Sequence, residues 1–260
     1  MTISLLGRTA LVCGSSKGIG KASAFELAKL DANIILLARS ESELKSLVKE
    51  LPGQGKHSFL AIDISEREKL KISVQQLLST YNKIHILVNN TGGPKGGLIT
   101  EATEDEFLQT FQNHVLVSSL LANLLLSGMK EDNYGRIINI ISTSVKIPLA
   151  NLGVSNTIRG AMASWAKTLS NEVARFGITV NNILPGYTDT ERLDVLMSNA
   201  AQKQNKTKEQ IRAEWEKSVP IGRFARPEEI ASAVAFLASP SASYINGINL
   251  PVDGGRTGSL

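Results

Sequence analysis

Seven mainly apolar runs punctuate the chain, and they are continuous rather than alternating. They are TALVC (9–13), NIILLA (33–38), FLAID (59–63), IHILVN (84–89), GRIINIIS (135–142), ITVNNIL (178–184) and a last short one within INGINLPV (245–252). A continuous apolar strand hides both faces, the environment of a parallel sheet with a layer of helices on each side. Helical patterns separate the runs, at about 18–30, 40–50, 66–81, 103–129, 154–176 and 227–238. This alternation predicts an α/β fold: one domain over 1–260, a doubly wound parallel sheet of seven strands with helices on both faces. One segment interrupts the rhythm. Residues 188–220 are polar and charged, and include SNAAQKQNKTKEQIRAEWEK. Two readings stand, a surface helical excursion or a lid over a substrate site, since long insertions after strand ends often carry function.

Composition narrows the function classes. With 42% hydrophobic and 20% charged residues, the chain has enough apolar side chains for a packed core, and disorder is not expected. The net charge of +4 is scattered, without a basic stripe interleaved with aromatics, so no nucleic-acid partner is expected. A single cysteine, Cys13, rules out an internal disulfide. No apolar run is long enough to span a membrane, and MTISLLGRTALV lacks the layout of a signal peptide. A cytoplasmic protein without a metal site is the resulting expectation.

Three strand ends carry the chemistry. Cys13-Gly14-Ser15-Ser16-Lys17-Gly18-Ile19-Gly20 ends the first strand and opens the first helix. Gly14 permits a tight turn, Gly18 admits backbone close to a phosphate, and Gly20 allows close helix packing. The bare N–H groups of the helix start then face a pyrophosphate. The second strand ends at Arg39, where an acidic residue would bind the ribose hydroxyls of NAD. Arg39 and Lys17 together suit a 2′-phosphate, hence NADP(H) rather than NAD(H); the alternative is two solvated surface charges. Asp63 is placed either to accept from the adenine amino group or to cap a helix. Asn89-Asn90-Thr91-Gly92 ends the fourth strand, where small residues can lie against the cofactor while Asn90 ties strands together. GRIINIIS closes on Ser142, and the helix beyond it places Ser155 and Arg159 on one face, four residues apart.

With these motifs the chain resembles the short-chain dehydrogenase/reductase family over nearly its whole length. The resemblance rests on G-x-x-x-G-x-G at 14–20, Asp63, N-N-x-G at 89–92 and GRIINIIS at 135–142. It continues through GITVNNILPG at 177–186, PIGRFARPEEIA at 220–231 and INGINLPVDGG at 245–255. Within the family it looks most like the 3-oxoacyl-carrier-protein reductase branch. The resemblance implies a Rossmann-like domain whose cofactor site is Gly14, Ser16, Lys17, Gly18, Ile19, Arg39, Asp63, Asn90 and Gly92. It implies that Pro185, Gly186, Thr188 and Thr190 meet the nicotinamide, and that Arg159 bonds its ribose. Ser142 matches the catalytic serine that hydrogen-bonds the substrate carbonyl, and Asn113 the asparagine that holds a relay water. A homotetramer or homodimer, and a small carbonyl or alcohol substrate, an acyl thioester among the candidates, are implied too.

The pattern breaks at one place. The family keeps a tyrosine thirteen residues after the serine and a lysine four further on; here those positions hold Ser155 and Arg159. A tyrosine with a pKa of about 10 is tuned toward working pH by a nearby ammonium, whereas a serine hydroxyl ionises far less readily. Arg159 keeps its charge and is no lysine-like relay. Tyr187 and Lys146 are the other candidate proton donors, against packing for Tyr187 and solvation for Lys146. His114 adjoins Asn113 and is expected to point elsewhere on its helix. Two functions remain open: an NADP(H)-dependent oxidoreductase with altered proton delivery, or a catalytically impaired NADP(H)-binding regulatory protein.

Overall fold

Alternation decides which way each strand side chain points, and both directions lead to apolar layers. In a computed structural model, which describes residues 3–259, the runs form β1 (Thr9–Cys13), β2 (Asn33–Ala38), β3 (Ser58–Ala61), β4 (Ile86–Asn89), β5 (Gly135–Ile140), β6 (Ile178–Pro185) and β7 (Asn249–Val252). All pair in parallel, in the order β3-β2-β1-β4-β5-β6-β7. The helices are α1 (Gly18–Lys29), α2 (Glu41–Glu50), α3 (Arg67–Tyr81), α4 (Glu104–Phe111), α5 (Val117–Glu131), α6 (Gly153–Val173), α7 (Glu191–Gln204), α8 (Lys208–Lys217) and α9 (Pro227–Ala238). On one face Ala10, Val12, Ile34, Leu36 and Ile138 meet α1 and α9 through Leu27 and Val234. On the other, Leu11, Ile35, Leu87 and Ile137 meet α3, α5 and α6 through Val74, Leu121 and Leu169. Each fully buried Leu or Ile contributes about 1.5–3 kcal/mol.

Strand order reverses between β1 and β4. In a doubly wound sheet, the loops at the carboxyl ends of these strands part there and leave a crevice. The far end is occupied otherwise. Tyr134 sits before β5 between the Arg8 and Arg136 guanidiniums, each 4.2 Å from its ring centroid, and donates to the Ala238 carbonyl at 2.5 Å.

Polar residues inside the sheet are paired with each other. Asn89, Asn139, Asn182 and Asn249 stand in register on four neighbouring strands. Each of the first three donates to the next through its amide, at 2.8 Å in all three steps. This ladder lies on the α5/α6 face, because its neighbours Ile138 and Ile183 belong to the opposite layer.

Three elements differ from the sequence expectation. The helix expected over 103–129 is broken by a π turn at Gln112–Leu116 between α4 and α5. The strands expected to reach Asp63 and Ser142 end at Ala61 and Ile140, so both residues stand just beyond the sheet.

Candidate active site

The crevice is built on the turn after β1. Gly14 has φ +59°, and a side chain there would sit 2.4 Å from the Asn90 carbonyl oxygen. A Cβ on Gly20 would lie 2.1 Å from the Gly14 carbonyl oxygen, so the first turn of α1 rests directly on the strand end. The Asn90 amide approaches the Cys13 and Gly14 carbonyls at 3.4 and 3.3 Å, tying β4 to β1 across the reversal point. Lys17 takes the N-cap position of α1 without a side-chain cap, so the first amides of the helix have no protein acceptor from that residue. Close backbone, a left-handed glycine and an uncapped helix start fit a dinucleotide pyrophosphate.

The flanking charges are partly committed. Arg39 leaves 82% of its side chain exposed, with Asp63 at a loose 3.9 Å. Asp63 accepts from the Ser65 backbone N–H at 2.9 Å and from its hydroxyl at 2.7 Å, which hold its carboxyl below the usual range; it caps the local turn. Lys17 is paired with Glu191 at 3.2 Å and with Glu43 at 3.7 Å. The Thr190 methyl stands 3.1 Å from where a Cβ on Gly18 would be. The start of α7 therefore closes over the turn after β1. Ser16, Gly186 and Thr188 lie in strand-end loops, with Ile19 in the first turn of α1 and Pro185 at the end of β6; Thr188 is buried and donates to the Gly186 carbonyl at 3.1 Å.

The other wall comes from β5 and α6. Ser142 Oγ accepts the Ser144 N–H at 3.1 Å at the head of a short 3-10 turn. Arg159 is buried, and its Nη1 donates to the Ile140 carbonyl at 3.0 Å, pinning the second turn of α6 to the end of β5. Burial, and secondarily the charge of Arg192, push its guanidinium down to about 10, so it stays cationic at neutral pH. Ser155 lies half-buried one turn earlier on α6.

The π turn supplies the roof. An extra residue in one turn rotates the helix beyond it, a device frequent at functional sites. Asn113 and His114 both line a cavity of about 270 Å³ with Gly92, Gly93, Pro94 and Val154. His114 thus turns into the site instead of away from it. It is buried and hydrogen-bonded to the Thr91 hydroxyl through Nδ1. Burial first, and the Arg159 charge second, push its imidazole down to about 3, so it is neutral. Sequence reasoning missed His114 because QNHVL holds neither Pro nor Gly to announce a break in the helix. It also missed Arg192, whose Nη2 donates to the Pro94 carbonyl at 2.6 Å.

Tyr187 has the packing role. Its ring stacks on Trp215 at 4.8 Å and 7°, and its hydroxyl accepts from Arg256 at 3.0 Å. Leu193, Met197, Ile211 and Phe224 complete this small core, which joins α7 to α8. Asp189 clasps Arg212 of α8 with two bonds of 3.1 and 2.9 Å. Among the described residues no group of acidic, His or Cys side chains could hold a metal ion, and no helix is long and apolar enough to cross a membrane.

The chain is similar to known proteins along nearly its whole length. A family profile described as enoyl-(acyl carrier protein) reductase matches residues 14–257. The 3-oxoacyl-[acyl-carrier-protein] reductase of Vibrio cholerae is 34% identical, over 97% of this chain and 98% of its own. The L-sorbose reductase of Gluconobacter frateurii, solved with NADPH and L-sorbose, superposes with a TM-score of 0.92 at 31% identity, covering 100% of both chains. A short-chain type dehydrogenase/reductase from Mycobacterium marinum gives a TM-score of 0.88 at 28% identity, covering 99% of this chain and 98% of its own. The profile match and the near-complete coverage of these relatives agree, and the chain belongs to the short-chain dehydrogenase/reductase family.

Proposed function

We propose that the protein is an NADP(H)-dependent oxidoreductase that interconverts a carbonyl and a hydroxyl group, similar to the 3-oxoacyl-carrier-protein reductases, with a proton route that bypasses a tyrosine. The observation that carries it is the wall at the end of β5, where Ser142 and the buried Arg159 stand beside the crevice that fits a dinucleotide. The bound cofactor supplies the hydride donor or acceptor. Gly14, Ser16, Gly18, Ile19, Asn90 and Gly92 shape its bed, with Asp63 at the adenine end. Arg39 is the exposed cation for a 2′-phosphate, and Lys17 joins it on leaving Glu191. Pro185, Gly186, Thr188 and Thr190 border the nicotinamide.

The chain's own groups divide the remaining work. Ser142 Oγ accepts from the Ser144 N–H, and its own proton can rotate to donate to a substrate carbonyl oxygen. Arg159 stabilises developing negative charge and does not deliver a proton at pH 7, because it remains charged. Ser155 and Asn113 hold the water through which the solvent proton arrives. Such a positioned relay is worth on the order of 10²–10⁴-fold. The helices α7 and α8 form the lid over 188–220, anchored by Tyr187 and Trp215.

The test is NADPH oxidation, monitored by absorbance, with 3-oxoacyl thioesters, aldehydes, ketones and keto sugars. Turnover that Ser142→Ala reduces at least about 10²-fold is the expected result. A second reading, a catalytically impaired NADP(H)-binding protein, draws on Ser155 and Arg159 standing where the family keeps tyrosine and lysine. Folded, NADPH-binding protein that oxidises none of the panel would replace the first reading with the second. Activity created from none by Ser155→Tyr with Arg159→Lys would establish that replacement.

A further inference from the structure

Two guanidinium groups converge on the same side of the crevice without a carboxylate between them. A Cβ placed on Gly93 would stand 3.4 Å from Arg192 Nη2 and 3.8 Å from Arg159 Nη2. Arg159 is buried and donates to the Ile140 carbonyl. Arg192 is bonded to the Pro94 carbonyl. Neither takes part in an ion pair among the described residues. The carboxylates of neighbouring elements are engaged elsewhere: Glu106 in its capping box with Thr103, Glu191 with Lys17, Asp189 with Arg212. The nearest imidazole, His114, is neutral and hydrogen-bonded to Thr91, so it offers no negative charge.

The buried Arg159 guanidinium has lost solvation and faces a second, exposed guanidinium on Arg192 with no counter-charge, an arrangement that persists where a ligand supplies the opposite charge. We infer that Arg159 and Arg192 form an anion clamp for a carboxylate carried by the carbonyl substrate. The inference rests on the proposed reductase function and adds the substrate class: oxo acids, or oxo compounds with a fixed negative group near the reacting carbonyl. Guanidinium groups suit a planar anion, since each planar fork matches a carboxylate. Arg192 belongs to the start of α7, so a bound carboxylate also links the substrate to the lid. Lysines would not do the same, because an ammonium is a point charge without the planar fork and sheds its proton more readily when buried.

The competing source of negative charge is the pyrophosphate of the cofactor, and the experiment separates the two. Arg192→Gln keeps side-chain hydrogen bonding and removes the charge. Three measurements are made on wild type and variant. The first is the ratio of kcat/KM for an oxo acid to that for its methyl ester. The second is the NADPH dissociation constant by fluorescence. The third is calorimetric titration of oxalate into the protein–NADP⁺ complex, which requires no turnover. The expected result is a wild-type preference for the acid of roughly 10–100-fold that collapses toward unity in the variant. Oxalate binding should be lost in parallel while NADPH affinity stays within about threefold. Equal oxalate binding by both proteins, or no preference for the acid in the wild type, overturns the clamp. A variant whose NADPH affinity falls about tenfold or more with unchanged acid preference assigns Arg192 to the pyrophosphate and also overturns it. If the wild type turns over neither substrate but binds oxalate through Arg192, the clamp stands and the reductase reading fails.

Discussion

At the scale of single residues, the sequence singles out Ser155 and Arg159 on α6, and the structure adds a third group, His114. Ser155 and Arg159 stand out in the sequence by their distance from Ser142, thirteen and seventeen residues on. His114 does not, because its direction depends on one extra residue in a helical turn. Its burial makes a stability claim. In the folded chain the imidazole titrates at about 3 rather than 6.5, so between those values the unfolded chain binds more protons. The stabilisation is complete above about pH 6.5 and is lost as pH falls toward 3. One such group contributes a slope of up to about 1.4 kcal/mol per pH unit. His114→Gln should flatten the dependence of unfolding free energy on pH between about 6.5 and 5, measured by urea denaturation. His85, also lowered by burial, remains in both proteins, so the difference isolates His114. Identical slopes would show that the imidazole is not desolvated as the packing implies.

At the scale of elements, the strands were readable and their internal wiring was not. Continuous apolar runs foretold burial on both faces, and alternation of Leu11 with Val12, or Ile137 with Ile138, divides them between two layers. The asparagine ladder escaped notice because its members lie in four separate runs and meet only when register is known. A slip of one residue would turn every amide to the other face, so the ladder ties strand pairing to one alignment. Asn139→Ala removes the acceptor of Asn89 and the donor to Asn182. Each orphaned buried group costs about 1–3 kcal/mol. A fall in melting temperature on the order of 10 °C by circular dichroism is expected. A change under about 2 °C would mean the amides find other partners. Helix 103–129 was legible in extent and not in form; a π turn has no composition of its own.

At the scale of the whole molecule, topology does most of the positioning. The order β3-β2-β1-β4 puts the turn after β1 and the loop after β4 side by side, although roughly 75 residues separate them. The segment 188–220, read from sequence as polar and interrupting, owes its shape to a few aromatic and ionic anchors that sequence alone cannot pair: Tyr187 on Trp215, and Asp189 on Arg212. The single cysteine adds a last consequence. Cys13 ends the interior strand β1, directly before the glycine turn, and burial pushes its thiol up to about 12. A thiol in that state is chemically silent. The folded chain therefore contains a native clock. Labelling by a thiol reagent proceeds only through molecules whose β1 strand has opened, and its rate reports that opening without any introduced probe. Saturating NADP⁺ should slow the labelling in proportion to its occupancy, by mass action on the closed form. Labelling that is fast and indifferent to NADP⁺ would show that the turn after β1 opens independently of the site it builds.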